Sequence, residues 1–312
     1  MPRLLKKHLL IIILGALCVA LALINPSFLT QDNLTNLARR ISAVSVVAAG
    51  QTLVILTGGI DLSVGSVAAL SGVIAGHAIK FWNWPVPLGM ALGVGSGLGC
   101  GVVIGVLVTK GRIPAFIVTL GMMLAARGAA QLITGGSRIA GLPESFRWLG
   151  GGFTWWIPFV VMLALVGATA IMLAYMNMGR EMYATGGNLV GARLSGINVD
   201  RVRIAAYALC GLSAGFAGVM LSSRTGVCDP TAAEGMELDS IAACVVGGAS
   251  LMGGEGGAIG SLIGALIIGV LVNVCQLQGM PSEYQRIVLG ALIITLVFFD
   301  NMRKRGPGAL KE

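Results

Sequence analysis

The chain has 312 residues, of which 56% are hydrophobic and 11% charged, and its mean hydropathy is +0.88. Soluble domains carry about 25% charged residues, so 13 acids and 21 bases cannot cover a water-facing surface of this size, and lipid is the expected solvent. The formal charge of +8 does not point to nucleic acid, because Lys and Arg are scattered and the densest group is Arg303-Lys304-Arg305. Such charges orient a membrane protein.

In chain order, apolar runs near the roughly 20 residues a span needs predict ten membrane helices. They lie at 9–25, 42–57, 62–79, 87–108, 114–133, 157–176, 204–222, 238–253, 258–275 and 284–299. The second, third, eighth and ninth are short or Gly-rich, as broken or re-entrant segments are. Arg3, Lys6 and Lys7 precede the first run as in a signal peptide, but Asn25-Pro26-Ser27-Phe28 is not a small-residue cleavage site, so the run reads as a retained span. The expected fold class is an all-α membrane protein, a polytopic bundle of about ten transmembrane helices in a single domain over 1–312.

Glycines recur closely inside the runs, as in Gly93-Val94-Gly95-Ser96-Gly97 and from Gly264 to Gly269. Small residues let helix backbones approach in lipid, which favours a compact bundle. Of the six cysteines only Cys228 falls in a polar loop, and no CxxC pair occurs. With the N-terminus inside, thirteen basic residues are cytoplasmic, six are outside and two, Arg127 and Arg286, lie within spans. That bias predicts both termini cytoplasmic, with Arg39-Arg40 the awkward outside pair. Gly58 to Gly65 echoes Gly247 to Gly254 at an offset of 189, a hint of paired halves with a site between them.

Enzyme chemistry has no residues to stand on. His8 and His77 are far apart, so neither a metal set nor a His-based triad assembles, and no cofactor is expected. No phosphate-binding Gly-x-x-x-x-Gly-Lys-Ser/Thr occurs, so ATP, if used, is hydrolysed by another subunit. What stands out instead is polarity where it is costly. Arg127 sits in Leu124-Ala125-Ala126-Arg127-Gly128-Ala129, on a translocation path or as a structural partner. Gln51, Gln131, Asn273 and Gln276 suit either helix–helix bonding or a path for an uncharged polyol. Asp61, ahead of Leu62-Ser63, reads first as a helix N-terminal cap.

The longest polar interruption is 177–203, with four arginines. Asn188 to Ile197 predicts a short surface helix stopped by Gly196, either a docking element or a solvated loop.

Four blocks in register then resemble the ribose-type sugar permeases of bacterial ABC importers. They are Thr57 to Ser66, Lys110 to Gly121, Ala184 to Val199, and Asp229-Pro230-Thr231 through Glu237 to Gly248. The resemblance covers about 25–300 and implies a multi-pass inner-membrane permease that pairs with a second copy or paralogue. It also implies an ABC-type ATPase subunit on the cytoplasmic side and a periplasmic sugar-binding protein. It makes Gly186, Gly187, Asn188, Ala192, Arg193, Leu194, Ser195 and Gly196 the ATPase coupling element within the 177–203 loop, with Leu189 and Leu194 as apolar anchors. Gln51, Asp61, Arg127, Gln131 and Asn273 are the path candidates, and Arg39, Arg40, Arg138, Arg147 and Arg224 the candidates for docking the binding protein. The chain departs from its relatives in Leu189-Val190-Gly191, where an acid and small residues are common, in Glu255 and in Met236. The alternatives are a related permease for nucleosides or branched-chain amino acids, or an ion-coupled secondary transporter. A charged amino-acid headgroup would require buried ionic partners, and Arg127 is the clear intramembrane charge.

Overall fold

The computed structural model describes residues 3–281 apart from Phe153, with side chains from Leu10 onward, and beyond 281 only residues 284, 285, 287, 290, 291, 294 and 295. Eleven helices follow one another within 3–281: α1 (Arg3–Ile24), α2 (Gln31–Leu56), α3 (Val64–Lys80), α4 (Val86–Thr109), α5 (Ala115–Thr134), α6 (Ile157–Tyr175), α7 (Asn177–Gly187), α8 (Leu189–Leu194), α9 (Val199–Thr225), α10 (Met236–Val246) and α11 (Ala258–Leu277). Short 3-10 turns lie at Pro26–Leu29 and Glu144–Trp148. The β pairing among the described residues is one antiparallel bridge between Ile139 and Cys228. Helices α2, α4, α5, α6, α9 and α11 are long and apolar enough to cross a membrane, and α3 and Leu10–Ile24 of α1 are shorter apolar helices. Most of the predicted tenth span, with Arg286 and the tail basics Arg303, Lys304, Arg305 and Lys311, lies outside the described residues.

Three expectations change. The span predicted at 238–253 is helical only to Val246. Its eleven residues reach about 16 Å, half the hydrocarbon thickness; Gly247 and the left-handed Gly248 (φ 89°) end it. The span predicted from 42 begins at Gln31, about three turns earlier, so Arg39 and Arg40 lie inside α2 rather than in a loop before it. The polar stretch 177–203 is mostly helix, because α7 fills 177–187 and α9 starts at Val199.

The inner half of α2 is the post of the bundle: from Ile41 to Thr57 every residue but Val44 is buried. Helices α6, α9, α10 and α11 pack around it. Helix α4 leans on α3 and α9 through a glycine at every fourth position, Gly89, Gly93, Gly97, Gly101 and Gly105. A Cβ at Gly97 would lie 2.5 Å from the Gly211 carbonyl, and one at Gly101 would overlap the Tyr207 carbonyl. Gly95 and Gly99, on the other face of α4, have nothing within 4 Å. The seam is the small-residue packing that lipid-embedded helices need, since no hydrophobic force draws them together there. A second seam joins α10 to α11, with Gly247 against Gly260 and Gly264 against Ala243.

The two ends of the bundle differ. At one end the α4–α5 turn, α8 and the start of α9 come together, with Asp200 3.3 Å from Lys110 and 3.9 Å from Arg193. At the other, Lys80 donates to the Ala140 carbonyl, Gly150 N–H donates to Ser223 Oγ at 2.7 Å, and Trp82, Trp84, Trp148, Trp155 and Trp156 are exposed. Exposed tryptophans of this kind mark a membrane–water interface. Between α9 and α10 the chain re-enters the bundle: Cys228 lies against Gly76 near the far end of α3, whereas Ala233 and Glu237 lie against Gly65 at its start. Eleven residues of α3 separate these contacts, a descent of about 16 Å.

Candidate functional site

At the α8 end, the C-terminus of α7 touches two glycine-rich loops at once. Gly254 N–H donates to the Leu56 carbonyl at 3.0 Å, which joins the 247–257 loop to the end of α2. Gly186 sits against both: an ideal Cβ there would overlap the Leu56 carbonyl and lie 2.6 Å from Gly254 N. Gly253, left-handed at φ 93°, brings its backbone beside Gly186 and Gly58. Tyr183 on α7 adds a hydrogen bond to the Gly256 carbonyl at 2.9 Å. The two segments that echo each other in sequence, 58–65 and 247–254, therefore meet here, under α7. A Cβ at Gly187, one residue on, would meet nothing within 4 Å.

Asn188 alone separates α7 from α8. Asn188 caps it, its Oδ1 accepting from Gly191 N–H at 2.8 Å, and Gly196 (φ 81°) turns the chain away. Ser195 Oγ donates to the Gly191 carbonyl at 2.9 Å. Ala192 faces inward, while Val190 and Leu194 are exposed, Leu194 at 84%. The exposed apolar pair is thus Val190 and Leu194; Leu189, expected as an anchor, is half-buried because it opens the helix on its inner face. Arg193 projects beside them with its side chain 62% exposed.

Inside the bundle, Asp61 is 1% exposed and accepts from Ser63 N–H at 2.8 Å and Ser63 Oγ at 2.6 Å, ahead of α3. Cys210 of α9 stands next to it and also donates to Gln51 Oε1 at 3.6 Å. Gln51 Nε2 and the Tyr207 hydroxyl are buried without a partner. Gln51, Asp61, Tyr207 and Cys210 form one polar knot between α2, α9 and the segment that precedes α3. Tyr207 and Cys210 escape a reading of the sequence because both sit in an apolar run, and burial against Asp61 is not a local property. Arg127 donates through Nη1 to the carbonyls of Pro230 at 2.7 Å and Ala232 at 2.9 Å, tying α5 to the re-entrant segment. Asn273 exchanges hydrogen bonds with Asn33 at 2.7 and 3.1 Å, joining α11 to α2. Gln131 and Gln276 are exposed.

The five arginines proposed for the opposite surface lie at the tryptophan end. Arg39 Nη2 donates to the Gly151 carbonyl at 2.8 Å, and Arg147 packs on Gly152 and Gly226. Gly150 lies on the backbone of Arg224, and Arg138 Nε pairs with Asp229 at 2.6 Å. Arg40 faces Asp239 within the bundle. Partial burial pushes the Asp229 carboxyl up, but hydrogen bonds from Thr231 and the Arg138 guanidinium outweigh it and hold the group below the usual carboxylate range.

The profile of the family described as "Branched-chain amino acid transport system / permease component" matches residues 33–297. The ribose import permease protein RbsC of Escherichia coli K12 is 44% identical over 299 residues, covering 93% of this chain and 92% of the relative. The ribose import permease protein RbsC of Bacillus subtilis is also 44% identical, over 292 residues, 92% of this chain and 90% of the relative. The L-arabinose ABC transporter permease protein AraH of Azospirillum brasilense is 36% identical over 311 residues, covering 99% and 91%. By the extent of the profile match and the identity to full-length relatives, the chain belongs to this family of binding-protein-dependent transport permeases.

Proposed function

We propose that this chain is the permease subunit of an ABC importer that carries a small sugar, ribose or a related pentose, hexose or polyol, across the bacterial inner membrane. Relatives named for ribose, arabinose and xylose import cover nearly the whole chain and support that cargo class. The family description names branched-chain amino acids, but a zwitterionic cargo requires buried charges free to meet it. Arg127 already commits Nη1 to two backbone carbonyls. Asp61 likewise accepts from Ser63 N–H and Oγ ahead of α3, and the other candidates, Gln51, Gln131 and Asn273, are neutral, which suits a polyol.

The observation that carries the mechanism is the contact of Gly186 with both Gly-rich loops. In our reading ten spans place both termini and α8 in the cytoplasm. Helix α8 then seats in a separate ATPase through Val190, Arg193 and Leu194. Work delivered there passes through the end of α7 to the α2–α3 and α10–α11 loops, and so to the helices around the path. A second permease copy faces the exposed side of α5, where Phe116, Ile117, Leu124 and Leu132 are 58–85% exposed. A periplasmic sugar-binding protein docks on the tryptophan end among Arg39, Arg40, Arg138, Arg147 and Arg224. In proteoliposomes holding the chain, its ATPase and its binding protein, ribose uptake should require ATP and all three components. Uptake by the chain alone, driven by an ion gradient, would contradict the proposal.

A further inference from the structure

Between the α4–α5 turn and the α8–α9 turn lies a cleft of about 750 Å³, which adjoins the Gly186 junction at Gly58. Arg112, Arg193 and Arg203 line it, and Asp200 is its one acid. Asp200 is shared between Lys110 and Arg193, so the ion pairs among the described residues leave Arg112 and Arg203 without a carboxylate. Arg203 donates one N–H to the Thr57 carbonyl at 3.4 Å, and its other donors remain. Arg112 is exposed on the turn in a left-handed conformation (φ 54°). At the floor, Tyr207 is 1% exposed and its hydroxyl has no partner. A buried hydroxyl without a partner leaves its desolvation uncompensated.

We propose that this cleft binds a phosphate ester of a small polyhydroxy compound. Planar guanidinium groups match pairs of phosphate oxygens, and three of them surround a space with a single, already shared, carboxylate. The volume lies in the range of small-molecule sites and far exceeds a bare phosphate. Asn198 on the wall and the Tyr207 hydroxyl at the floor supply neutral polar groups for the hydroxyls of such a ligand. Because the cleft is walled by both the α4–α5 turn and α8, an occupant ties α8 to the bundle. A phosphorylated sugar, the product of whatever kinase consumes the cargo, would then restrain coupling. This regulatory consequence rests on the coupling reading above, whereas the binding does not.

The test uses the purified full chain in nanodiscs of phosphatidylcholine, titrated calorimetrically with ribose 5-phosphate, inorganic phosphate and free ribose. Ribose 5-phosphate should bind saturably and at least about tenfold more tightly than ribose. Arg112→Gln and Arg203→Gln should each weaken it by about tenfold or more, and Tyr207→Phe by less. Arg112, exposed on a turn, can be exchanged without disturbing the packed bundle, so its result stands even if Arg203→Gln folds poorly. Phosphatidylglycerol nanodiscs form the second arm. Arg112-dependent thermal stabilisation by that lipid, with no response to ribose 5-phosphate, would assign the cleft to a lipid headgroup and overturn the soluble ligand. Absence of saturable binding to either, or binding indifferent to Arg112→Gln, would overturn the phosphate site altogether. Binding without any slowing of ATP-driven uptake would remove the regulatory role and leave the site.

Discussion

Arg127 shows how a single costly charge is kept in an apolar helix. Its Nη1 meets two carbonyls of the re-entrant segment, where an irregular backbone has no neighbouring turn to satisfy it. Hydrogen bonds to a charged group contribute about 1.5–3 kcal/mol, so Arg127→Ala should lower the thermal midpoint of the purified chain by an amount equivalent to about 2 kcal/mol. An unchanged midpoint would mean the clamp adds nothing. Arg138 and Asp229 make a different case, because the pair is partly exposed and sits beside the Ile139–Cys228 bridge. A carboxyl whose pKa falls on folding adds stability above its unfolded pKa and loses it as pH falls through the folded one. The midpoint difference between wild type and Asp229→Asn should therefore be largest at neutral pH and vanish in acid below the usual carboxylate range. A difference that grows on acidification would reverse the sign of this account.

Helices reveal which glycines matter. Gly99 and Gly101 are two positions apart on α4, yet one faces open space and the other the Tyr207 backbone. Gly99→Ala should be neutral or stabilise by about 0.5–1 kcal/mol, since alanine restricts the unfolded chain. Gly101→Ala should destabilise by about 1–3 kcal/mol or more, because α4 and α9 must separate. Thermal unfolding of the pair in the same lipid gives the comparison, and equal effects would mean the seam is not close-packed. At the α8 end, Arg193→Ala with Leu194→Ala should loosen the ATPase or uncouple its hydrolysis from delivery of sugar. A double variant with normal uptake and normal coupled hydrolysis would leave α8 a solvated connection.

Across the molecule, the features legible in the sequence were those written in composition and in short local patterns. Membrane residence follows from the charge count, and α4, α5, α6 and α11 from long apolar runs whose ends moved by a few residues. Asn188 and Gly196 marked α8 because capping and left-handed turns are local chemistry. Helix α7 was hidden, since an eleven-residue amphipathic helix on the surface has no apolar run to announce it. The short α10 was overextended because Gly247 to Gly253 carries no charge to end the run, and only packing against α11 reveals the break. The meeting of the two glycine loops under Gly186 was hinted at by their echo, but a contact between positions so far apart in the chain is set by the whole bundle. That contact is also where the proposed transmission of work is most exposed to test. Gly186→Ala and Gly187→Ala place the same methyl one residue apart, the first into the Leu56 carbonyl and the second into open space. In the transporter reconstituted with its ATPase and binding protein, ATP hydrolysis stimulated by sugar-loaded binding protein should be lost in Gly186→Ala and retained in Gly187→Ala, with the ATPase still bound in both. Full stimulation in Gly186→Ala would contradict the path through α7.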